Sequence, residues 1–191
     1  MPSGSRKSTI FLGDSLTEQG EWSAWLSDYS AVNSGVAGNT TEDVLARLQD
    51  VIDQDPETVV LMIGTNDLAW RRSVEQIVRN VESILVALRK ELPEARLIAQ
   101  SVLPRDADKA DEIREINIHL WQFAPTVKAE WLDLWPTFAD EQGEVKAEYS
   151  EDLLHLTPAG YEAWVNAVRE VLANPPAPVT RSMPIIRQEQ R

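Results

Sequence analysis

An α/β fold, with a central parallel sheet of about five strands and helices on both faces, is predicted from three features of this chain. Short β-branched and apolar runs alternate with helical patterns along the whole sequence, which is the signature of strand–helix–strand units. The strongest run, Thr58-Val59-Val60-Leu61-Met62-Ile63, is apolar at successive positions rather than at every second one. A strand covered on both faces requires that pattern. With 191 residues, 43% of them hydrophobic and 26% charged, the chain can build one such domain around a real core.

The elements follow in order. Ser8 to Leu12 reads as a buried first strand. Gly13-Asp14-Ser15-Leu16-Thr17 turns it into a short helix over Glu18 to Leu26, where Trp22, Trp25 and Leu26 fall at i, i+3, i+4 spacing. Ser30 to Asn33 is a second short strand, followed by a loop marked by Gly35 and Gly38. Thr40 or Thr41 caps the next helix, whose apolar stripe is Val44, Leu45, Leu48, Val51 and Ile52 and which ends at Asp55-Pro56. After the Thr58–Ile63 strand, Gly64-Thr65-Asn66-Asp67 leads into a long helix striped by Val74, Ile77, Val81, Ile84 and Leu88. Arg96 to Val102 is a fourth strand, and Ala107 to Phe123 a helix facing inward through Ile113, Ile116 and Leu120. Lys128 to Leu134 is a fifth strand, and Trp135 to Ser150 a loop with one short turn. Thr157 as N-cap and Pro158 at the first helical position start the last helix, which carries Tyr161, Trp164, Val165, Val168 and Leu172 inward. Residues 1–173 form a single domain, and residues 174–191 a proline-containing tail.

Composition narrows the chemistry. The absence of cysteine removes disulfides, thiolate catalysis and cysteine-ligated zinc. A net charge of −13 argues against tracking nucleic-acid phosphates or adhering to anionic lipid. No apolar run approaches the roughly 18–20 residues of a membrane span, and the basic N-terminus leads into too short an apolar run for a secretory signal. The expectation is a cytoplasmic protein acting on a small, uncharged molecule, without stable membrane association. No Gly-rich loop ending in Gly-Lys-Ser/Thr is present to hold phosphate.

Right-handed crossovers place every strand's carboxyl end on one edge of a parallel sheet, where open α/β sheets bind ligands. Ser15, Gly35 and Asn66 all follow strands and so share that rim. Gly13-Asp14-Ser15-Leu16, Asn33-Ser34-Gly35, Gly64-Thr65-Asn66-Asp67 and Asp152-Leu153-Leu154-His155 occur in that order. In these four blocks the chain resembles the SGNH (GDSL-type) hydrolase family of esterases and lipases. The resemblance implies a flavodoxin-like three-layer fold and neither metal nor organic cofactor. It also assigns the oxyanion donors to the Ser15 N–H, the Gly35 N–H and the Asn66 side-chain amide.

The chemistry of these residues agrees. A serine hydroxyl is a poor nucleophile until a base takes its proton. Only His119 and His155 are available, and His155 follows Asp152 by three residues, within a carboxylate's reach across a turn. Asp152 then fixes the tautomer and stabilises the imidazolium. His119, inside a helix, reads as a surface or structural residue, and Asp14 and Asp67 as structural support. Trp25 and Trp164 belong to the core, whereas Trp70 has equal claims to wall a pocket or to pack beneath the next helix. With no long insertion, the site is expected to be shallow and suited to short acyl groups, acetyl above all. The Val102-Leu103-Pro104-Arg105 segment looks like the acetylhydrolase branch of the family. A thioesterase or lysophospholipase of the same family, and a non-catalytic α/β binding module, are the competing readings.

Overall fold

The computed structural model describes residues 8–176, so residues 177–191 of the expected tail lie outside the described residues. Strands β1 (Thr9–Gly13), β2 (Ala31–Gly35), β3 (Thr58–Met62), β4 (Arg96–Gln100) and β5 (Ala129–Leu132) form one sheet in the order β2-β1-β3-β4-β5. Every neighbouring pair is parallel. This is the doubly wound order of flavodoxin-like folds, in which the winding reverses beside the first strand. The strand order, which the sequence does not display, puts the ends of β1, β2 and β3 side by side.

Period-2 alternation sorts the strand residues onto two faces. Ile10, Leu12, Val59, Leu61, Leu97 and Ala99 point to one core, while Phe11, Val60, Met62 and Ile98 point to the other. The first core is covered by α3 (Thr41–Ala46), α4 (Leu48–Ile52), α6 (Val74–Glu91) and α7 (Ala110–Phe123). The second is covered by α1 (Ser15–Glu18), α2 (Trp22–Trp25), α8 (Trp135–Phe138) and α9 (Pro158–Ala173). The short α5 (Thr65–Ala69) closes the end of β3 and buries Leu68 in the first core. Each fully buried Leu, Ile, Val or Phe side chain contributes about 1.5–3 kcal/mol, so both layers are held by ordinary apolar burial.

Local signals account for most boundaries. Ser73 caps α6 by accepting from the Gln76 N–H, and Thr157 caps α9 by accepting from the Gly160 N–H. Thr40, not Thr41, caps α3, and Asp43 returns the bond to the Thr40 N–H. Two expected helices are broken. The stretch after Ser15 is two short turns, α1 and α2. The helix expected from about Thr41 to Asp55 divides at Arg47, whose φ of −107° and ψ of 11° leave the helical range. The Arg47 side chain turns under the rim of the sheet there, a pull that apolar periodicity cannot reveal. Trp22 and Trp164 are completely buried and Trp25 is half-buried. Trp70 is 74% exposed, so it is not packed beneath α6.

Candidate active site

Asp14 and Ser15 occupy the turn from β1 into α1. Asp14 caps α1 by accepting the Leu16 N–H at 3.0 Å, and Ser15 is the first helical residue. The turn is fixed from below by aromatic packing. Trp22 stacks on Phe11 of β1 with ring centroids 4.2 Å apart, and its Nε1 donates to the Thr17 carbonyl at 2.7 Å. From α9, the Tyr161 hydroxyl donates to the Leu16 carbonyl at 2.8 Å. The serine therefore sits on a short element braced by a strand, a helix and a ring stack.

His155 and Asp152 come from the segment before α9. Leu153 takes a positive φ of 63°, an uncommon conformation for a branched residue, and the tight turn it makes brings positions 152 and 155 together. Asp152 Oδ2 lies 2.8 Å from His155 Nδ1. Its Oδ1 accepts the His155 N–H at 2.7 Å and the Leu154 N–H at 3.0 Å. The hydrogen bond with the His155 ring, reinforced by these backbone donors, pulls the Asp152 carboxyl down to about 2. With Nδ1 bound to the carboxylate, Nε2 faces Ser15 Oγ at 3.4 Å. That separation is somewhat long, as catalytic hydrogen bonds commonly are without substrate. Ser15, His155 and Asp152 thus meet in the order a nucleophile, its base and the base's orienting group require.

Asn66 lies at the start of α5 and donates through Nδ2 to the Asn39 carbonyl at 2.9 Å. An amide carries two hydrogens, so one remains for a ligand. Beside it, Asp67 is fully buried and accepts the Thr41 N–H at 2.9 Å and the Thr41 hydroxyl at 2.7 Å. That carboxylate ties the end of β3 to the start of α3, the structural support expected of it.

The surroundings of Gly35 do not fit a donor role. Gly35 ends β2, and its N–H already donates to Asn33 Oδ1 at 2.9 Å. Asn33 in turn donates through Nδ2 to the Glu18 and Gly20 carbonyls, each at 2.9 Å. A Cβ at Gly35 would stand 2.1 Å from the Glu18 nitrogen, so glycine is needed to let β2 approach α1. Gly38, three residues on, has a φ of +78°, and a Cβ there would meet nothing within 4 Å. Its N–H and that of Ser15 take no part in any hydrogen bond among the described residues. The sequence carried both glycines, but only backbone geometry separates the packing one from the open one.

His119 is exposed on α7, where it lines a groove with Glu115 and residues of α6 rather than with Ser15 or His155. Arg72 bonds Glu42 at 2.7 Å and lies 3.9 Å from the buried Asp67 carboxylate, so its charge is already paired within the protein. Next to His155 lies a depression of about 320 Å³ lined by Glu151, Asp152, His155, Leu156, Thr157 and Pro158. It adjoins a larger one of about 630 Å³, which shares Leu156 and Pro158 and extends over Gln19, Trp25 and Tyr161.

Fold and site together define a doubly wound α/β protein with a serine, a histidine and an aspartate converging at the carboxyl rim of its sheet. Residues 11–163 match the GDSL-like Lipase/Acylhydrolase family, and the chain belongs to that family. It is accordingly an enzyme, a carboxylic-ester hydrolase. Among curated proteins it is 28% identical over 174 residues to platelet-activating factor acetylhydrolase IB subunit alpha2 of Homo sapiens, covering 85% of this chain and 75% of that one. It is 29% identical to subunit alpha1 of Rattus norvegicus, with 85% and 74% covered. Among solved structures, a GDSL-like lipase from Bacteroides thetaiotaomicron superposes with a TM-score of 0.78 at 23% identity, over 86% of this chain and 87% of that one. A catalytic mutant of an acetylxylan esterase from Geobacillus stearothermophilus does so with a TM-score of 0.71 at 22% identity, over 89% and 95%. At those identities the superpositions speak for the fold. Among the described residues no helix is long and apolar enough to cross a membrane.

Proposed function

We propose that the protein hydrolyses esters of short acyl groups, acetyl foremost, through an acyl-enzyme on Ser15. His155 Nε2 takes the Ser15 proton as Oγ attacks the acyl carbonyl, and returns it to the departing alcohol. Asp152 holds the ring in the tautomer that leaves Nε2 free and stabilises the imidazolium. The same base then activates water against the acyl-enzyme. The oxyanion is received by the Ser15 N–H, the free hydrogen of the Asn66 amide and, in place of Gly35, the Gly38 N–H. The observation that carries this reading is the relay from Asp152 Oδ2 at 2.8 Å to His155 and from His155 at 3.4 Å to Ser15.

Short acyl groups are favoured by the walls beside His155. The carboxylates of Glu151 and Asp152 and the hydroxyl of Thr157 are set among the apolar surface of Leu156 and Pro158, and a long alkyl chain laid there would strip water from those charges. The names of the relatives point the same way, since the curated matches are acetylhydrolase subunits and one structural neighbour is an acetylxylan esterase.

The test is hydrolysis of p-nitrophenyl acetate, butyrate, octanoate and palmitate by wild type and Ser15→Ala, with fluorophosphonate labelling alongside. Activity should be greatest on acetate, fall with chain length and vanish in the variant. An optimum at long chains would overturn the substrate class but keep the nucleophile. Labelling that persists in Ser15→Ala would remove Ser15 from the mechanism.

A further inference from the structure

The strongest unassigned feature is a half-buried arginine at the back of the site. Arg47 stands between α3 and α4 and sends its guanidinium beneath the carboxyl rim of the sheet. Its Nη2 donates to the Gly13 carbonyl at 3.0 Å and to the Ser34 carbonyl at 2.9 Å, bridging the ends of β1 and β2. Its Nη1 donates to Ser34 Oγ at 3.1 Å, and its Nε to Asn39 Oδ1 at 2.7 Å. Four of the five guanidinium donors are thereby used, each on a neutral acceptor. Asp50 and Asp43 lie near enough to favour the charge, yet neither forms an ion pair with it among the described residues. An arginine in direct contact with no carboxylate and spread over neutral acceptors on β1, β2 and the following loop is not arranged as a stabilising surface pair.

Those acceptors are not scattered. Gly13 immediately precedes Asp14 and Ser15, and its carbonyl also accepts the Val36 N–H at 3.1 Å. Ser34 leads into the loop that carries Gly38. Asn39 receives Arg47 through its side chain and the Asn66 amide through its carbonyl. One planar group therefore sets the nucleophile strand, the loop bearing the open N–H and the residue on which Asn66 rests.

We infer that Arg47 is a positioning residue, whose guanidinium fork fixes the spacing between Ser15 and the oxyanion donors of Gly38 and Asn66. This rests on the esterase reading above. Binding of the ground-state ester does not depend on that spacing, whereas stabilisation of the tetrahedral oxyanion does. Lysine cannot substitute, because a single ammonium cannot span acceptors on β1, β2 and the 36–39 loop at once.

The experiment measures kcat and KM on p-nitrophenyl acetate for wild type, Arg47→Lys and Arg47→Ala, with thermal unfolding of each and added guanidinium or methylammonium. Fluorophosphonate labelling of the wild type first establishes Ser15 reactivity; without it the esterase reading itself fails, and this inference with it. Given labelling, Arg47→Lys and Arg47→Ala should unfold cooperatively and lose about 10–100-fold in kcat, with KM within about twofold of wild type. Guanidinium should restore part of the rate of Arg47→Ala, and methylammonium should not. Near-wild-type kcat in Arg47→Lys, a loss confined to KM, or a loss that guanidinium leaves unchanged would overturn the assignment. If Arg47→Ala does not fold, the Arg47→Lys rate decides.

Discussion

Asp14 and Asp152 flank the same histidine and serine, yet their environments drive them in opposite directions. Burial pushes the Asp14 carboxyl up to about 7; its bond from the Leu16 N–H opposes the rise, and the Asp67 carboxylate adds to it. An acid whose folded pKa exceeds its unfolded value binds its proton more tightly when folded. Stability from this group is thus complete below the ordinary value of 3.8 and declines as pH rises from there through about 7. Asp14→Asn keeps a side-chain oxygen for the Leu16 N–H, so it should remove that decline. Urea midpoints between pH 4 and pH 8 should fall more steeply for wild type than for the variant, and parallel profiles would refute the assignment. Asp152, held near 2 by its bonds to His155, stays ionised over the same range. Asp152→Asn retains the shape but not the charge or the tautomer preference, and should lower kcat about 10³–10⁴-fold with fluorophosphonate labelling slowed in parallel. Of these residues the sequence marks Ser15, Asn66, Asp152 and His155 as candidates, because each belongs to a local motif. It did not disclose what Gly38, Asn33 and Arg47 do. Their parts depend on which backbone groups end up free, and on hydrogen bonds reaching back 13 to 34 residues.

At the scale of elements, α9 braces the site without supplying a reacting group. Tyr161 holds the Leu16 carbonyl of α1, and Trp164 Nε1 donates to Gln100 Oε1 at 2.6 Å. Tyr161→Phe leaves a buried carbonyl without a partner and should cost about 1–3 kcal/mol in chemical denaturation. Trp22→Ala removes a side chain stacked on β1 and should cost about 3–5 kcal/mol. A change below 1 kcal/mol in Trp22→Ala would mean that the ring stack does not support the turn. Helices α6, α7 and α9 and all five strands were legible from periodicity and caps, because long amphipathic stripes and continuous apolar runs are strong signals. The break at Arg47 and the two-turn form of residues 15–25 were not, because polar bonds to distant carbonyls overrode the stripe in the first case. In the second, Asp14 and the indole of Trp22 claim the local backbone. The crystal structure of the phosphonylated enzyme would test the loop itself. A phosphoryl oxygen about 2.7–3.1 Å from the Gly38 nitrogen supports its role, and one bonded to the Gly35 nitrogen gives that role to Gly35, as the family resemblance implies.

The whole molecule carries a formal charge of −13, which acts on any substrate before contact. For p-nitrophenyl-type esters of equal size, kcat/KM should rise from anionic to neutral to cationic leaving groups. The spread should shrink as salt is raised from about 10 mM to 0.5 M, because the Debye length falls from about 30 Å toward a few ångströms. Equal rates at low salt would show that the rim is shielded from the net charge. Fold class, sheet size and the rim location could be read from alternation alone. The order β2-β1-β3-β4-β5 could not, since nothing in a run of apolar residues says which neighbour it pairs with.

The serine and histidine that meet at 3.4 Å stand 140 positions apart in the chain. During synthesis Ser15 therefore leaves the ribosome long before His155, and in the proposed mechanism every chain halted short of residue 155 carries Ser15 as an ordinary alcohol. In that mechanism ester hydrolysis reports that the segment before α9 has emerged and that Tyr161 has docked against α1.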